Sequence, residues 1–128
     1  MSKRVLVIDD DEAVRKSFVL SLEDVDCVVD TAESGEKGIE MEREGLYDLT
    51  YLDLKMPGLN GVETLRELRK LSKDMPIYIV TAFHKEFLNQ LNAASKDGLE
   101  FEIMKKPIPP EQLESVTRSI LDGSVESY

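Results

Sequence analysis

The sequence predicts one α/β domain built on a mostly parallel β-sheet with helices on both faces. Three observations carry this. Five short apolar bursts, rich in β-branched residues, are each followed by a stretch with apolar residues at helical spacing. The two kinds of segment alternate strictly along the chain, as they must when helices carry the chain back between parallel strands. The chain of 128 residues is also long enough to bury one core of its own. Neither a linker, an internal repeat nor a low-complexity segment interrupts the pattern. The expected division is a domain over residues 1–122 and a polar tail over 123–128.

The elements follow in order. Val5 to Ile8 is short, apolar and flanked by charge, as a buried strand should be. Residues 12–24 place Val14, Phe18 and Leu22 on one helical face. The second strand is expected over 26–31, "DCVVDT", and the second helix from Ser34, a suitable N-cap, to Gly45, a suitable C-cap. "YDLTYLDL" (47–54) reads as the third strand, and the helix after it aligns Val62, Leu65, Leu68 and Leu71. "PIYIVTA" is the fourth strand, and residues 84–97 form a helix with Phe87, Leu88, Leu91 and Ala94 inward. "EFEIM" is a short fifth strand. A last helix opens at Pro109 or Pro110, residues suited to a first turn, with Leu113, Val116 and Ile120 inward.

Composition narrows the function. Sixteen Lys and Arg stand against 26 Asp and Glu, a formal net charge of −10. Such a balance argues against gripping a nucleic-acid backbone or an anionic membrane surface, both of which need a basic face. It suits basic partners or divalent cations. The single cysteine, Cys27, in an apolar-alternating context, reads as a core residue of a reduced compartment. With no long apolar run and no signal-peptide pattern, a cytoplasmic location is expected.

Right-handed crossovers put the C-terminal ends of parallel strands on one edge, where ligands bind in open α/β sheets. The first strand brings Asp9, Asp10 and Asp11 to that edge, the third Asp53, the fourth Thr81 and the fifth Lys105 and Lys106. Each type has a task if the ligand is a phosphoryl group. Asp53, the one carboxylate ending the third strand, is the natural nucleophile, since carboxylates form aspartyl-phosphates. The acidic residues of the first strand suit Mg²⁺, which offsets the repulsion between a carboxylate and an anionic phosphoryl group. A lysine offers a compact cation to a phosphoryl oxygen, and a threonine hydroxyl donates one hydrogen bond. Asp11 is expected to turn away and cap the first helix. Each residue alone means little; four roles at four strand ends in order mean more.

Together the motifs "VLVIDDDEAVR", "YLDLKMPGLNGVE", "IVTA" and "MKKPI" resemble those of the receiver domain of two-component response regulators, over about residues 3–122. The resemblance implies a flavodoxin-like (βα)5 three-layer sandwich with strand order 2-1-3-4-5. It implies Asp53 as phosphoacceptor, Thr81 as switch hydroxyl and Lys106 as phosphate-binding lysine, with a cis bond to Pro107. Mg²⁺, with Mn²⁺ as substitute, is implied at Asp9, Asp10, Asp53 and the Lys55 carbonyl, Asp10 binding directly and Asp9 largely through water. The implied partners are a histidine kinase or histidine phosphotransfer protein, and a downstream protein on the face of the fourth helix, fifth strand and fifth helix. No enzymatic turnover is implied beyond self-phosphorylation and slow autodephosphorylation at Asp53, and no direct contact with nucleic acid or membrane. The resemblance fits a stand-alone receiver as well as one cut from a longer regulator.

Some positions depart from that pattern. Ile103 stands where the family often has Tyr or Phe, and Phe101 shares its strand face at another depth. The segment from Thr81 to Lys106 is a few residues longer than expected. Phe83 and Lys55 lie two residues past Thr81 and Asp53, where bulk and charge should slow loss of the phosphoryl group. His84, the only histidine, reads as an exposed loop residue. The competing reading is a haloacid-dehalogenase-like phosphatase using the Asp9-x-Asp11 pair; it leaves Asp53 without a task.

Overall fold

A computed structural model describes residues 3–82 and 84–122, with the backbone alone at His84. Five parallel strands form one sheet in the order β2-β1-β3-β4-β5. They are β1 (Lys3–Ile8), β2 (Cys27–Ala32), β3 (Leu49–Leu52), β4 (Ile77–Thr81) and β5 (Glu102–Lys105). The helices are α1 (Glu12–Ser21), α2 (Gly35–Glu44), α3 (Gly61–Leu71), α4 (Leu88–Lys96) and α5 (Pro110–Asp122), with a 3-10 turn, His84–Phe87, ahead of α4. This is the expected flavodoxin-like (βα)5 arrangement.

Period-two alternation divides the core. Leu6, Ile8, Leu52, Ile77 and Ile79 face one side and pack with Ile39, Leu65, Leu68, Leu91 and Ala94 of α2, α3 and α4. Val5, Val7, Leu49, Tyr51, Val80 and Met104 face the other and pack with Phe18, Leu22, Leu113 and Leu121, on or beside α1 and α5. Val5 to Ile8 and Leu49 to Leu52 are buried throughout, as central strands of a two-sided sheet must be. β2 and β5 are edges and carry exposed residues.

Caps set where the helices begin. The Asp11 side chain accepts from the amides of Ala13 and Val14, Ser34 accepts from Lys37, and Asn60 forms a reciprocal box with Glu63. Gly45 closes α2 and Pro110 opens α5, both as expected.

Two inward positions need correction, Leu71 and Leu88. Leu71 is 43% exposed, and Arg69 is buried in that part of α3. The Arg69 guanidinium donates to the carbonyls of Ser72, Met75 and Glu100, which lie in loops off the sheet and have no strand partner there. Leu88 is 50% exposed. Because the segment opens as a 3-10 turn, α4 begins at Leu88, and on a wheel of about 100° per residue Leu88 falls to one side of Leu91 and Ala94. In α5, Thr117 and Leu121 are buried in phase with Leu113, while Val116 and Ile120 flank that stripe half-buried. Thr117 is buried because its hydroxyl is satisfied: it donates to the Leu113 carbonyl at 2.7 Å and lies 2.6 Å from the Tyr51 hydroxyl. The strands are also shorter than expected at β3 and β5, so Phe101 precedes β5, half-buried against the α2–α4 side, and Ile103 on β5 is 42% exposed.

Candidate functional site

The C-terminal edge of the sheet gathers the residues that the sequence singled out. The β1–β3 ladder runs on one residue past β3, with the Asp53 amide donating to the Ile8 carbonyl at 2.9 Å. This bond brings Asp53 to the edge between the ends of β1 and β3, buried to 6% exposure. The Asp9 amide donates to Ala32 at 3.1 Å across the other side of β1, and Asp9 is 3% exposed. Asp10 follows in the turn and is exposed. One carboxylate oxygen from each of Asp9, Asp10 and Asp53 lies within 4.8 Å of the others.

Lys106 enters from the far side of the sheet. β5 pairs Lys105 with Thr81, and the Lys106 amide then donates to the Thr81 carbonyl at 3.2 Å. The Lys106–Pro107 bond is cis. The ammonium lies 2.8 Å from Asp9 Oδ2 and 3.2 Å from Asp53 Oδ1. Thr81 ends β4 at the same edge, fully buried. Lys105 is exposed beside it.

Three negative charges in so small a space are costly. Burial pushes the Asp53 carboxyl up to about 6, the charge of Asp9 adds to the rise, and Lys106 offsets only part of it. Burial alone would lower the Lys106 ammonium, but its hydrogen bond to Asp9 and the charges of Asp53 and Asp9 outweigh that, and its pKa stands above the ordinary lysine value. Hard, converging carboxylate oxygens with excess negative charge are the donor set that a small divalent cation takes. The residues present fit such an ion.

Asp11 stays out of the cluster, its side chain spent on the α1 cap. Lys55 lies in the loop after β3, exposed, its ammonium 3.4 Å from Glu86. Phe83 and the His84 side chain lie outside the described residues. Two contributors escaped the sequence reading. A Cβ at Gly61 would lie 2.3 Å from the Asp53 carbonyl oxygen and 2.6 Å from Leu54 Cα, so only glycine lets α3 start against the end of β3. Its signal was a glycine just inside a helix start. Arg15 donates to the Asp9 carbonyl at 2.7 Å, and its sequence signal was only its closeness to the acidic run.

A five-stranded sheet in this order, with carboxylates and a lysine converging at its C-terminal edge, is the architecture of a signalling receiver. The family model of the response regulator receiver domain matches residues 5–118. The chain belongs to this family, the receiver domain of two-component response regulators. Among curated proteins, it is 36% identical over 121 residues to response regulator MprA of Mycobacterium ulcerans, a match that covers 94% of this chain and 51% of that protein. The corresponding MprA of Mycolicibacterium vanbaalenii is 33% identical over 133 residues, covering 99% and 56%. The chain thus spans about half the length of the curated relatives it matches. Among solved structures, a CheY-like response regulator receiver domain protein from Methanospirillum hungatei superposes with a TM-score of 0.83 at 26% identity, over 99% of this chain and 100% of that one. A response regulator receiver domain protein from Clostridium thermocellum gives 0.79 at 28%, over 96% and 97%.

Proposed function

We propose that this chain is a phosphorylation-operated switch in which Asp53 accepts a phosphoryl group from a phosphohistidine. One carboxylate oxygen of Asp53 attacks phosphorus as the P–N bond to the donor imidazole breaks, and the imidazole leaves with the bonding pair and takes up a proton. The observation that carries this reading is the geometry around Asp53, a buried carboxylate 3.2 Å from the Lys106 ammonium and within a cluster of acidic oxygens. Lys106 pairs with a phosphoryl oxygen once the charge is transferred, and Thr81 donates a hydrogen bond to another. Catalysis is then positioning and charge neutralisation, with no turnover of a separate substrate.

The acidic cluster is the seat for Mg²⁺, or Mn²⁺ in its place, held by Asp10, Asp53 and the Lys55 carbonyl. Such an ion supplies neutralisation of the phosphoryl oxygens as they approach Asp53. Asp9 would serve it largely through water, its Oδ1 accepting from the Asp11 amide at 2.9 Å and its Oδ2 from Lys106. The phosphatase reading loses its second carboxylate, since Asp11 accepts from Ala13 at 2.9 Å in the helix cap.

The domain spans residues 1–122, the donor is a histidine kinase or a histidine phosphotransfer protein, and the location is the cytoplasm. No helix among the described residues is long and apolar enough to cross a membrane. Output leaves through α4, β5 and α5, where Leu88 and Ile103 are exposed apolar side chains. Ile103 removes the aromatic that often reports phosphorylation in this family, so the α4 and β5 surfaces themselves carry the change. Beryllofluoride with Mg²⁺, a stand-in for the phosphoryl group, tests this reading. Amide resonances near Asp53, Thr81 and Lys106 should shift in wild type and stay in place in Asp53→Ala; a silent wild type contradicts it.

A further inference from the structure

The turn between β1 and α1 carries Asp9, Asp10 and Asp11 in succession, Glu12 opens α1 directly after them, and mutual repulsion tends to open the turn. Asp9 is nonetheless held at every polar atom. Its amide bonds to Ala32, Oδ1 accepts from Asp11, Oδ2 accepts from Lys106, and its carbonyl accepts from Arg15 Nη1 at 2.7 Å. That last bond stands apart. The β1 ladder ends at Ile8, so the Asp9 carbonyl lies beyond the paired residues, and a side chain supplies its donor. The carbonyl also belongs to the peptide plane that carries the Asp10 amide. The plane is rigid and ends at the Asp10 Cα, so fixing its oxygen fixes the point from which the Asp10 side chain leaves the chain.

We propose that Arg15 is a positioning residue for divalent-cation binding, holding the Asp9–Asp10 peptide so that the Asp10 carboxylate meets those of Asp9 and Asp53. The inference rests on the metal-binding reading above. Arg15 is set for this task by the helix that follows. It sits four residues after the cap residue Asp11, and its own amide bonds to the Asp11 carbonyl at 3.0 Å, so its guanidinium reaches back along the first turn of α1. The hydrogen bond is charge-assisted, which makes it roughly twice as strong as a neutral one.

Charge and positioning predict opposite signs, which makes the assignment testable. A guanidinium beside the cluster repels an incoming cation, so if charge alone mattered, removing it would tighten Mg²⁺ binding. If Arg15 positions Asp10, removing it weakens binding although repulsion has fallen. Mg²⁺ alone is titrated into wild type, Arg15→Met and Arg15→Lys, followed by amide chemical shifts and calorimetry at a temperature where circular dichroism shows all three folded. Arg15→Met should bind about tenfold more weakly, as is typical when a group that orients a metal ligand is lost. Arg15→Lys, with the charge but not the fork, should fall between. Phosphorylation of Arg15→Met at saturating Mg²⁺ should return to the wild-type rate, a split that general damage to the fold would not give. Equal or tighter Mg²⁺ binding by Arg15→Met overturns the inference alone. No Mg²⁺ response in wild type overturns the metal reading and this inference with it.

Discussion

The Lys106 ammonium stands 3.2 Å from Oδ1 of Asp53, a residue 53 positions away in sequence. The same ammonium is 2.8 Å from Asp9, so one cation serves two buried carboxylates. One is not enough. The Asp53 carboxyl still titrates near 6 because burial and Asp9 outweigh the lysine. The carboxylates are thus held together at an electrostatic cost, one that a divalent cation at this position would relieve.

Asp53 therefore destabilises the metal-free protein at neutral pH. Its folded pKa lies above the ordinary value of 3.8, so the folded state disfavours the charged form, and stability falls as pH rises from about 4 to about 6 and then levels. Asp53→Asn removes that charge and should raise the unfolding free energy in EDTA at pH 7 by about 1–3 kcal/mol. Denaturant unfolding of the two proteins measures it. A less stable Asn variant would mean that the Lys106 pairing dominates after all.

Glu42 is a second buried acid, on α2 and away from the site. It is 8% exposed and its Oε2 has no hydrogen-bond partner among the described residues. Burial raises its carboxyl to about 7, against a downward pull from Arg4, which is itself engaged by Asp30 at 2.8 Å. Relative to Glu42→Gln, wild type should lose stability as pH rises from about 4.5 to about 7, with the difference constant above that. At pH 8 the Gln variant should be more stable by roughly 1–3 kcal/mol. Melting curves of both proteins across this range check it, and parallel profiles would show that Glu42 is charged when folded.

Gly61→Ala should damage site and fold together. The new Cβ meets the Asp53 carbonyl and the Leu54 backbone, neither of which can swing away as a side chain would. Overpacking of this kind costs about 1–3 kcal/mol, and it pushes α3 off the strand that carries Asp53. Both the melting temperature and the initial rate of phosphorylation should fall. A variant with unchanged rate would show that the start of α3 moves without disturbing Asp53.

The fold was legible because alternation is a global signal: Val5 to Ile8 and Tyr51 in "YLDL" can only be central strands once helices flank them on both sides. Much of the site was legible too. Asp9, Asp10, Asp53 and Lys106 each lie just past the end of a strand, and parallel topology alone brings those ends to one edge. What stayed hidden depends on contacts without a sequence period. Arg69 is buried because stray carbonyls surround it, and Thr117, on α5, because Tyr51 reaches it from β3. Leu71 and Leu88 fit the helical pattern yet lie exposed, one at the end of its helix and one where a 3-10 turn delays the start. Arg15 acts on a backbone carbonyl, which leaves no mark in residue identity.

The central claim is that Asp53 carries the phosphoryl group, and one labelling experiment addresses it directly. Wild type, Asp53→Ala and Asp10→Asn are incubated with acetyl phosphate and Mg²⁺, then separated by intact mass and treated with hydroxylamine, which cleaves acyl phosphates. Wild type should gain one phosphoryl group that hydroxylamine removes, Asp53→Ala should gain none, and Asp10→Asn should label far more slowly. Labelling of Asp53→Ala to the wild-type level, or none in wild type, would contradict the account.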